Sequence, residues 1–325
     1  MDREKFLNER KRGIGGSDAA AILGMSKWAT PIDIYMEKLG LKDPTEETEI
    51  MTWGKILEPL IVEAVEGKFN VKVNRCLDKK GNEILYTKEC ASSGIGSSDI
   101  GITPLIAHVD GLFVYEGEAC LLECKTVSPF VFKQHWNPEA NQVPYEYFCQ
   151  VQHYMNVMDL RKCLIAAWCD RQMHFFWVNY HEDFVEQMVM KEENFWLEHV
   201  VKKIPPPKMT GDDINKLLDN LVDEPMQADE GLVRLLSSYD SLGEEIKFTK
   251  QEQDAVKAEI SNVMGNFLVA EWDGAVVAKF LKITQKRVDV KKLEKDFPDA
   301  HETCMKEGSY LRLYTYLEQK ESGDK

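Results

Sequence analysis

The stretch Ala119-Cys120-Leu121-Leu122-Glu123-Cys124-Lys125-Thr126-Val127 constrains the fold more than any other part of the chain. It reads as a β-strand, and it is apolar around two charges, Glu123 and Lys125. Residues two apart in a strand point to the same side of a sheet. Charges held in such a buried strand need partners or a metal ion to offset lost hydration. A neighbouring strand-like run, 105–115, carries Val109-Asp110-Gly111. Antiparallel pairing of the two would bring two carboxylates and an ammonium to one spot. Hard divalent cations take oxygen ligands of this kind. A lysine beside them can orient water or stabilise charge building on phosphorus. A solvent-facing Glu/Lys pair near an unrelated Asp has the same spacing, so both readings stay open at this point.

Three other segments carry candidate chemistry. A helix is predicted over about 46–67, with Trp53, Ile56, Leu57, Leu60 and Val65 as its apolar face and Pro59 as a source of a kink. Gly costs roughly 1 kcal/mol inside a helix, so Gly54 calls for a close approach. Glu58, one turn later, is either a further carboxylate of the same site or a surface residue. In Phe148-Cys149-Gln150-Val151-Gln152-His153-Tyr154-Met155, Gln150 and Tyr154 are four apart and share a helix face. An amide and a phenol there can fix a metal ligand or a phosphate oxygen, although Tyr154 would serve equally as a core residue. Finally, Arg10-Lys11-Arg12 runs into Gly13-Ile14-Gly15-Gly16-Ser17-Asp18. Backbone N–H groups at a helix start, with Ser17 and an arginine, suit a phosphate. An ordinary Ser-capped helix accounts for the same residues, and Asp18 would repel the phosphate. The segment is neither a Walker A loop nor a dinucleotide fingerprint.

Composition sets the frame. The 325 residues carry a net charge of −15 and are 44% hydrophobic, so the chain can bury a core and is not globally disordered. The acidity excludes a protein that coats nucleic acid or anionic membrane indiscriminately. It leaves room for local basic stretches at Lys68, Lys72, Arg75, Lys79 and Lys80, and from Lys279 to Lys295. No apolar window reaches the ~18 residues of a membrane span, and the start lacks the apolar core of a signal peptide. The eight cysteines show no C-x-x-C pair and read as free thiols of a cytoplasmic protein. Pro205-Pro206-Pro207 marks the boundary, which gives a first domain over 1–204, a linker over 205–209 and an extension over 210–325. The extension holds a long amphipathic helix at 228–265, weakly broken at Gly231 and Gly243, and then a compact β-rich tail with a short helix and a last strand at 309–317. The predicted class is α/β (α+β), a mixed central sheet flanked by helices.

Taken in order, Arg10 with Gly15-Gly16-Ser17-Asp18, Trp53-Gly54-Lys55-x-x-Glu58, Val109-Asp110-Gly111 with Glu123-Cys124-Lys125, and Gln150-Val151-Gln152-His153-Tyr154-Met155 resemble the YqaJ-type viral recombinase family. That family is similar to phage lambda exonuclease and belongs to the PD-(D/E)xK nuclease superfamily. Over about residues 8–200 the resemblance implies a restriction-endonuclease-like core. It implies a two-Mg²⁺ 5′→3′ exonuclease on linear duplex DNA, with Mn²⁺ as a substitute, leaving 3′ overhangs for recombination by single-strand annealing. Asp110, Glu123 and the carbonyl of Cys124 would hold metal, and Glu58 would complete the second metal site. Lys125 would assist the attacking water, and Gln150 with Tyr154 would form the glutamine–tyrosine motif. Arg10, Arg12 and Ser17 would hold the 5′ phosphate and adjoining DNA. A ring-shaped homo-oligomer (trimer or tetramer) and a single-strand annealing partner are also implied. The rival readings are a structure- or sequence-specific endonuclease on the same core and a catalytically inactive DNA-end-binding scaffold. Val109 replaces the proline of the superfamily name, and the Gly/Ser-rich segment Ser92–Gly101, with Asp99, reads as an insertion that either tracks DNA or is a tolerated surface loop. Cys149, Cys163 and Cys169 lack the spacing of an iron–sulphur site. On this reading, basic side chains should converge on the cleft holding Asp110 and acidic ones should face away.

Overall fold

A computed structural model describes residues 3–42, 47–79, 81–93, 100–210, 212–217, 225–281, 283–284, 288–305 and 313. The chain forms two compact units, Met1–Leu217 and Leu218–Lys325.

The first unit opens with α1 (Arg3–Arg10), the short β1 (Ile14–Gly15), α2 (Gly16–Ile22), α3 (Pro31–Leu39) and α4 (Glu49–Phe69). Pro31 sits in the first turn of α3 behind the Thr30 cap, where its missing N–H costs nothing. Gly40 ends the helix with φ 67°, a left-handed conformation that glycine adopts freely. Strands β2 (Leu85–Ser93), β3 (Ile100–His108), β4 (Gly111–Tyr115) and β5 (Glu118–Thr126) follow. After them come α5 (Pro129–His135), α6 (Tyr145–Met158), β6 (Lys162–Cys169), β7 (Gln172–Asn179), α7 (Glu182–Phe195) with a π-helical extension to Val201, and α8 (Asp213–Lys216).

Two sheets result. β1, β3 and β2 form one, and β4, β5, β6 and β7 the other. The second sheet is mixed, with β5 and β6 parallel and the outer pairs antiparallel. The parallel pair requires a crossover, and α5 and α6 supply it. Alternation along β5 and β6 fills both faces. Leu121, Cys163, Ile165 and Ala167 pack with Val151 and Met155 of α6. Cys120, Leu122, Leu164 and Ala166 pack with Ile61, Val62 and Val65 of α4. Helices on both faces of a mixed sheet match the predicted class.

The structure corrects two readings of the sequence. The run 105–115 is two strands in different sheets, because the chain leaves one sheet after His108 and enters the other at Gly111. The apolar face of α4 is Ile61, Val62 and Val65, whereas Trp53, Ile56 and Leu60 are exposed, since only the C-terminal half of the helix lies on the sheet. The segment Ser92–Gly101 belongs to the far end of the β2–β3 pair, where Ser92 faces Gly101; Asp99 lies outside the described residues. The first unit continues past the prolines, with Asp213 and Lys216 of α8 bonded to Thr30 and Asp33.

The second unit contains α9 (Glu230–Met264), which runs unbroken through Gly231 and Gly243, then β8 (Val269–Trp272), β9 (Ala275–Lys279), α10 (Val290–Asp296) and α11 (Pro298–Cys304). Asp273 and Gly274 both take positive φ, the two-residue hairpin turn that Asp-Gly favours. The strand expected at 309–317 falls outside the described residues except for Leu313. All eight cysteines are free thiols. No described helix is long and apolar enough to cross a membrane.

Candidate active site

Odd-numbered residues of β5 face α6, so Glu123 and Lys125 follow Leu121 towards that helix. Lys125 Nζ donates to Glu123 Oε1 at 2.6 Å and to Gln150 Oε1 at 3.1 Å. Gln150 Nε2 donates to the same Glu123 oxygen at 2.9 Å and to the Tyr154 hydroxyl at 3.1 Å. Lys125 also lies 4.6 Å from the centroid of the Tyr147 ring. Asp110 stands at the sheet-to-sheet junction, where its Oδ2 accepts the backbone N–H of Cys124 at 2.6 Å. The second oxygen of Glu123 is buried and has no hydrogen-bond partner among the described residues.

Electrostatics follow from this crowding. Burial, reinforced by Glu123 and Glu58, raises the Asp110 carboxyl well above its usual range. Burial alone would lower the Lys125 ammonium, but Glu123 and other neighbours outweigh it and raise it, so the amine stays charged. Burial and the nearby Glu123 push the Tyr154 hydroxyl up strongly, so it stays protonated while accepting from Gln150.

Glu58 acts on Asp110 electrostatically, yet its Oε1 is held by Arg75 at 2.7 Å. Gly54 meets Thr126 at an ordinary 3.7 Å, so no backbone of the described residues approaches it closely. Glycines elsewhere leave no room for a side chain, two of them in the N-terminal segment. A Cβ on Gly16 would stand 2.5 Å from the Tyr154 ring and 2.8 Å from the Gln150 carbonyl oxygen. One on Gly13 would stand 2.5 Å from the Pro104 carbonyl oxygen.

Gly16 thus lets α2 lie on α6 and brings the N-terminal segment to the site. Gly15, rather than Ser17, caps α2, and the Gly15 N–H donates to Asp18. Arg10 spreads its guanidinium over Ser17 at 2.8 Å, Asp18 at 2.8 Å and Glu37 at 2.9 Å. Asp18 is buried on Lys38, which together with Arg10 overcomes the cost of burial and holds the carboxyl at about 2. A cavity of about 220 Å³ joins Arg10 and Ser17 to Asp110, Glu123, Gln150 and Tyr154, with Glu83 and His108 on its wall. Arg12 is exposed and does not line it. The expected convergence of basic groups is not found, since three carboxylates line this cavity and Glu37 and Asp18 already offset Arg10. In the first basic stretch, Lys72 and Arg75 are paired to Glu66 and Glu58; Lys80, Lys282, Lys286 and Arg287 lie outside the described residues.

Among the described residues no three His, Cys, Asp or Glu side chains stand as a ready-made metal cluster. The donor types nevertheless suit a hard cation. Glu123 keeps an unpartnered buried oxygen, and Asp110 sits in a field of like charge that a cation would relieve. Glu37, Lys38, Arg75, Glu83, His108 and Tyr147 were not singled out as site residues from the sequence. They reach the site through tertiary contacts and carry no local motif.

Residues 5–161 match the family model described as the YqaJ-like viral recombinase domain. The match places a YqaJ-like viral recombinase domain at residues 5–161. The matched segment spans most of α1, the strands β1 to β5 and the helices α2 to α6. Over 327 residues the chain is 28% identical to the uncharacterized protein YqaJ of Bacillus subtilis (strain 168), covering 96% of this chain and 94% of that one. Among solved structures it is similar to an alkaline exonuclease from Laribacter hongkongensis, with 17% identity, TM-score 0.44, and coverage of 61% of this chain and 93% of that one. It is also similar to a phage related exonuclease from Haemophilus somnus, with 11% identity, TM-score 0.40, and coverage of 61% of this chain and 100% of that one.

Proposed function

We propose that this chain is a metal-dependent nuclease acting on DNA, a 5′→3′ exonuclease on linear duplexes that leaves 3′ overhangs for single-strand annealing. One observation carries the reading: Asp110 from the junction between the sheets, Glu123 from β5, and Gln150 and Tyr154 from α6 line one cavity that also opens on Arg10 and Ser17, and Lys125 is hydrogen-bonded to Glu123 and Gln150 beside it. The match to the YqaJ-like viral recombinase domain supports a nuclease acting on DNA.

Asp110, Glu123 and the Cys124 carbonyl would hold Mg²⁺ or Mn²⁺, with Glu58 serving a second ion once freed from Arg75. The ions would lower the pKa of a bound water and stabilise the leaving 3′ oxygen. The protein's own groups do the rest. Lys125, kept charged by Glu123, offers an N–H to the attacking water or to a phosphate oxygen. Gln150 bridges Lys125, Glu123 and Tyr154, which locks all three side chains for reaction. A 5′ phosphate competes for Arg10 with Glu37, whose side chain is 36% exposed, and leaves the Asp18 contact, 1% exposed, in place. A homo-oligomeric ring and an annealing protein as partner complete the proposal.

Linear duplexes with and without a 5′ phosphate, and a closed circular duplex, each incubated with Mg²⁺ or EDTA, test it. Metal-dependent loss of the linear forms alone is expected, fastest with the phosphate. Cutting of the circle would favour an endonuclease, and digestion in EDTA would overturn the mechanism.

A further inference from the structure

α9 carries a pattern that the described residues of its own chain leave unused. Stepping alternately three and four residues from Leu232 to Val263, eight of ten positions are apolar, with Thr249 and Gln253 the exceptions. That is the 3.5-residue repeat of a coiled-coil seam, sustained for more than four heptads. The side chains on it are exposed: Leu235 at 70%, Ile246 at 69% and Val263 at 89%. Of the 35 residues in α9, only Met264 is buried. A helix this long with an exposed apolar seam needs a partner for that seam.

The flanking charges say which partner. With Leu232 at position a, the g positions include Glu245, Glu252 and Glu259, and the e positions include Lys250 and Lys257. In a parallel in-register pair, each g residue faces the e residue five places further along the partner. Glu245 then meets the second copy's Lys250, and Glu252 meets its Lys257. An antiparallel pair would set glutamate against glutamate and lysine against lysine. The intrachain ion pairs of α9, Glu230–Arg234 and Glu244–Lys247, use other residues. Glu245, Lys250, Glu252 and Lys257 therefore have no ion-pair partner among the described residues. Ile246 and Ile260 fall at a, and Leu235 and Leu242 at d, a combination that favours two strands. Gln253, polar at an a position, penalises slipped registers. Gly243 falls at e, outside the apolar seam.

We propose that α9 is a self-association element, which pairs with α9 of a second copy of this chain as a parallel, in-register, two-stranded coiled coil. It joins chains whatever the first unit does at its own surface.

The test uses the full chain with Cys304→Ser, which removes the exposed thiol. Leu235→Cys and Val263→Cys, each introduced alone and mildly oxidised, are expected to give disulfide-linked dimers; Lys247→Cys, on the outer face, is not. No linkage at either seam position, linkage equal to that of Lys247→Cys, or linkage only when the two seam variants are mixed would overturn the proposal. Charge reversal gives a second readout that leaves the apolar seam intact. Glu245→Lys with Glu252→Lys, and separately Lys250→Glu with Lys257→Glu, should each weaken self-association roughly tenfold, and mixing the two proteins should restore it. Reversed proteins that associate as tightly as the parent would refute the assigned pairing.

Discussion

Gly16 and Tyr154 touch where α2 crosses α6, so closely that no side chain fits between them. This contact links the N-terminal segment to the helix that carries Gln150 and Tyr154. Gly16→Ala must push against both a ring and the Gln150 carbonyl oxygen, and the backbone cannot yield cheaply. A loss of about 1–3 kcal/mol in stability is expected. Thermal unfolding checks it, and nuclease activity at a temperature where the variant is folded should still fall, because Gln150 moves with α6.

Lys125→Ala and Glu123→Gln should each lower the rate of cleavage by roughly two to four orders of magnitude. Lys125→Ala also leaves the buried Glu123 carboxylate without its cation and should lower the unfolding midpoint, so cleavage is compared at a temperature where each variant is folded. Single-turnover cleavage with saturating Mg²⁺ is the measurement; near-parental rates would remove these residues from the mechanism.

Glu58→Gln should raise the Mg²⁺ concentration for half-maximal cleavage by about tenfold or more, with a smaller change in the maximal rate. A metal titration of cleavage rate separates the two effects. An unchanged titration would make Glu58 a partner of Arg75 alone.

The Asp18 carboxyl is buried, which by itself would raise it, but Lys38 and Arg10 hold it near about 2. A depressed folded-state pKa stabilises the fold above the unfolded value, 3.8, and that contribution is lost as pH falls towards 2. Urea midpoints should therefore drop between pH 4 and 2. Lys38→Met, which leaves the carboxylate buried with less compensation, should cost about 3–5 kcal/mol at neutral pH.

The opposite sign applies to His153. Its ring nitrogens face Glu192 Oε1 at 2.8 Å and the Ile106 carbonyl oxygen at 3.1 Å, two acceptors that favour the doubly protonated ring. Burial opposes that charge, but Glu192 prevails and raises the pKa. The resulting stability is complete below the unfolded value of 6.5 and fades as pH rises through the folded one. His153→Gln should flatten the fall in urea midpoint on the alkaline side.

Much of the local structure in both units was legible from the residues alone. Alternation picked out β5, β6 and β7, Pro31 and Thr30 marked the start of α3, and Asp-Gly marked the β8–β9 turn. The pairing of Glu123 with Lys125 followed from period two, and that of Gln150 with Tyr154 from the helical repeat. These are local relations, which the sequence by itself determines because backbone geometry repeats over two to four residues. The break after His108 was not read, although Asp110-Gly111 marks it, because strand-like runs flank it on both sides and only the choice of partner strand separates the sheets. Nor was the buried face of α4, which depends on how much of the helix overlies the sheet. Tertiary structure alone decided that Arg10 is shared with Glu37 and Asp18 and that Glu58 is bound by Arg75. A charge takes whichever opposite charge the fold brings within a few ångströms, and in this chain those partners are 17 and 27 residues away.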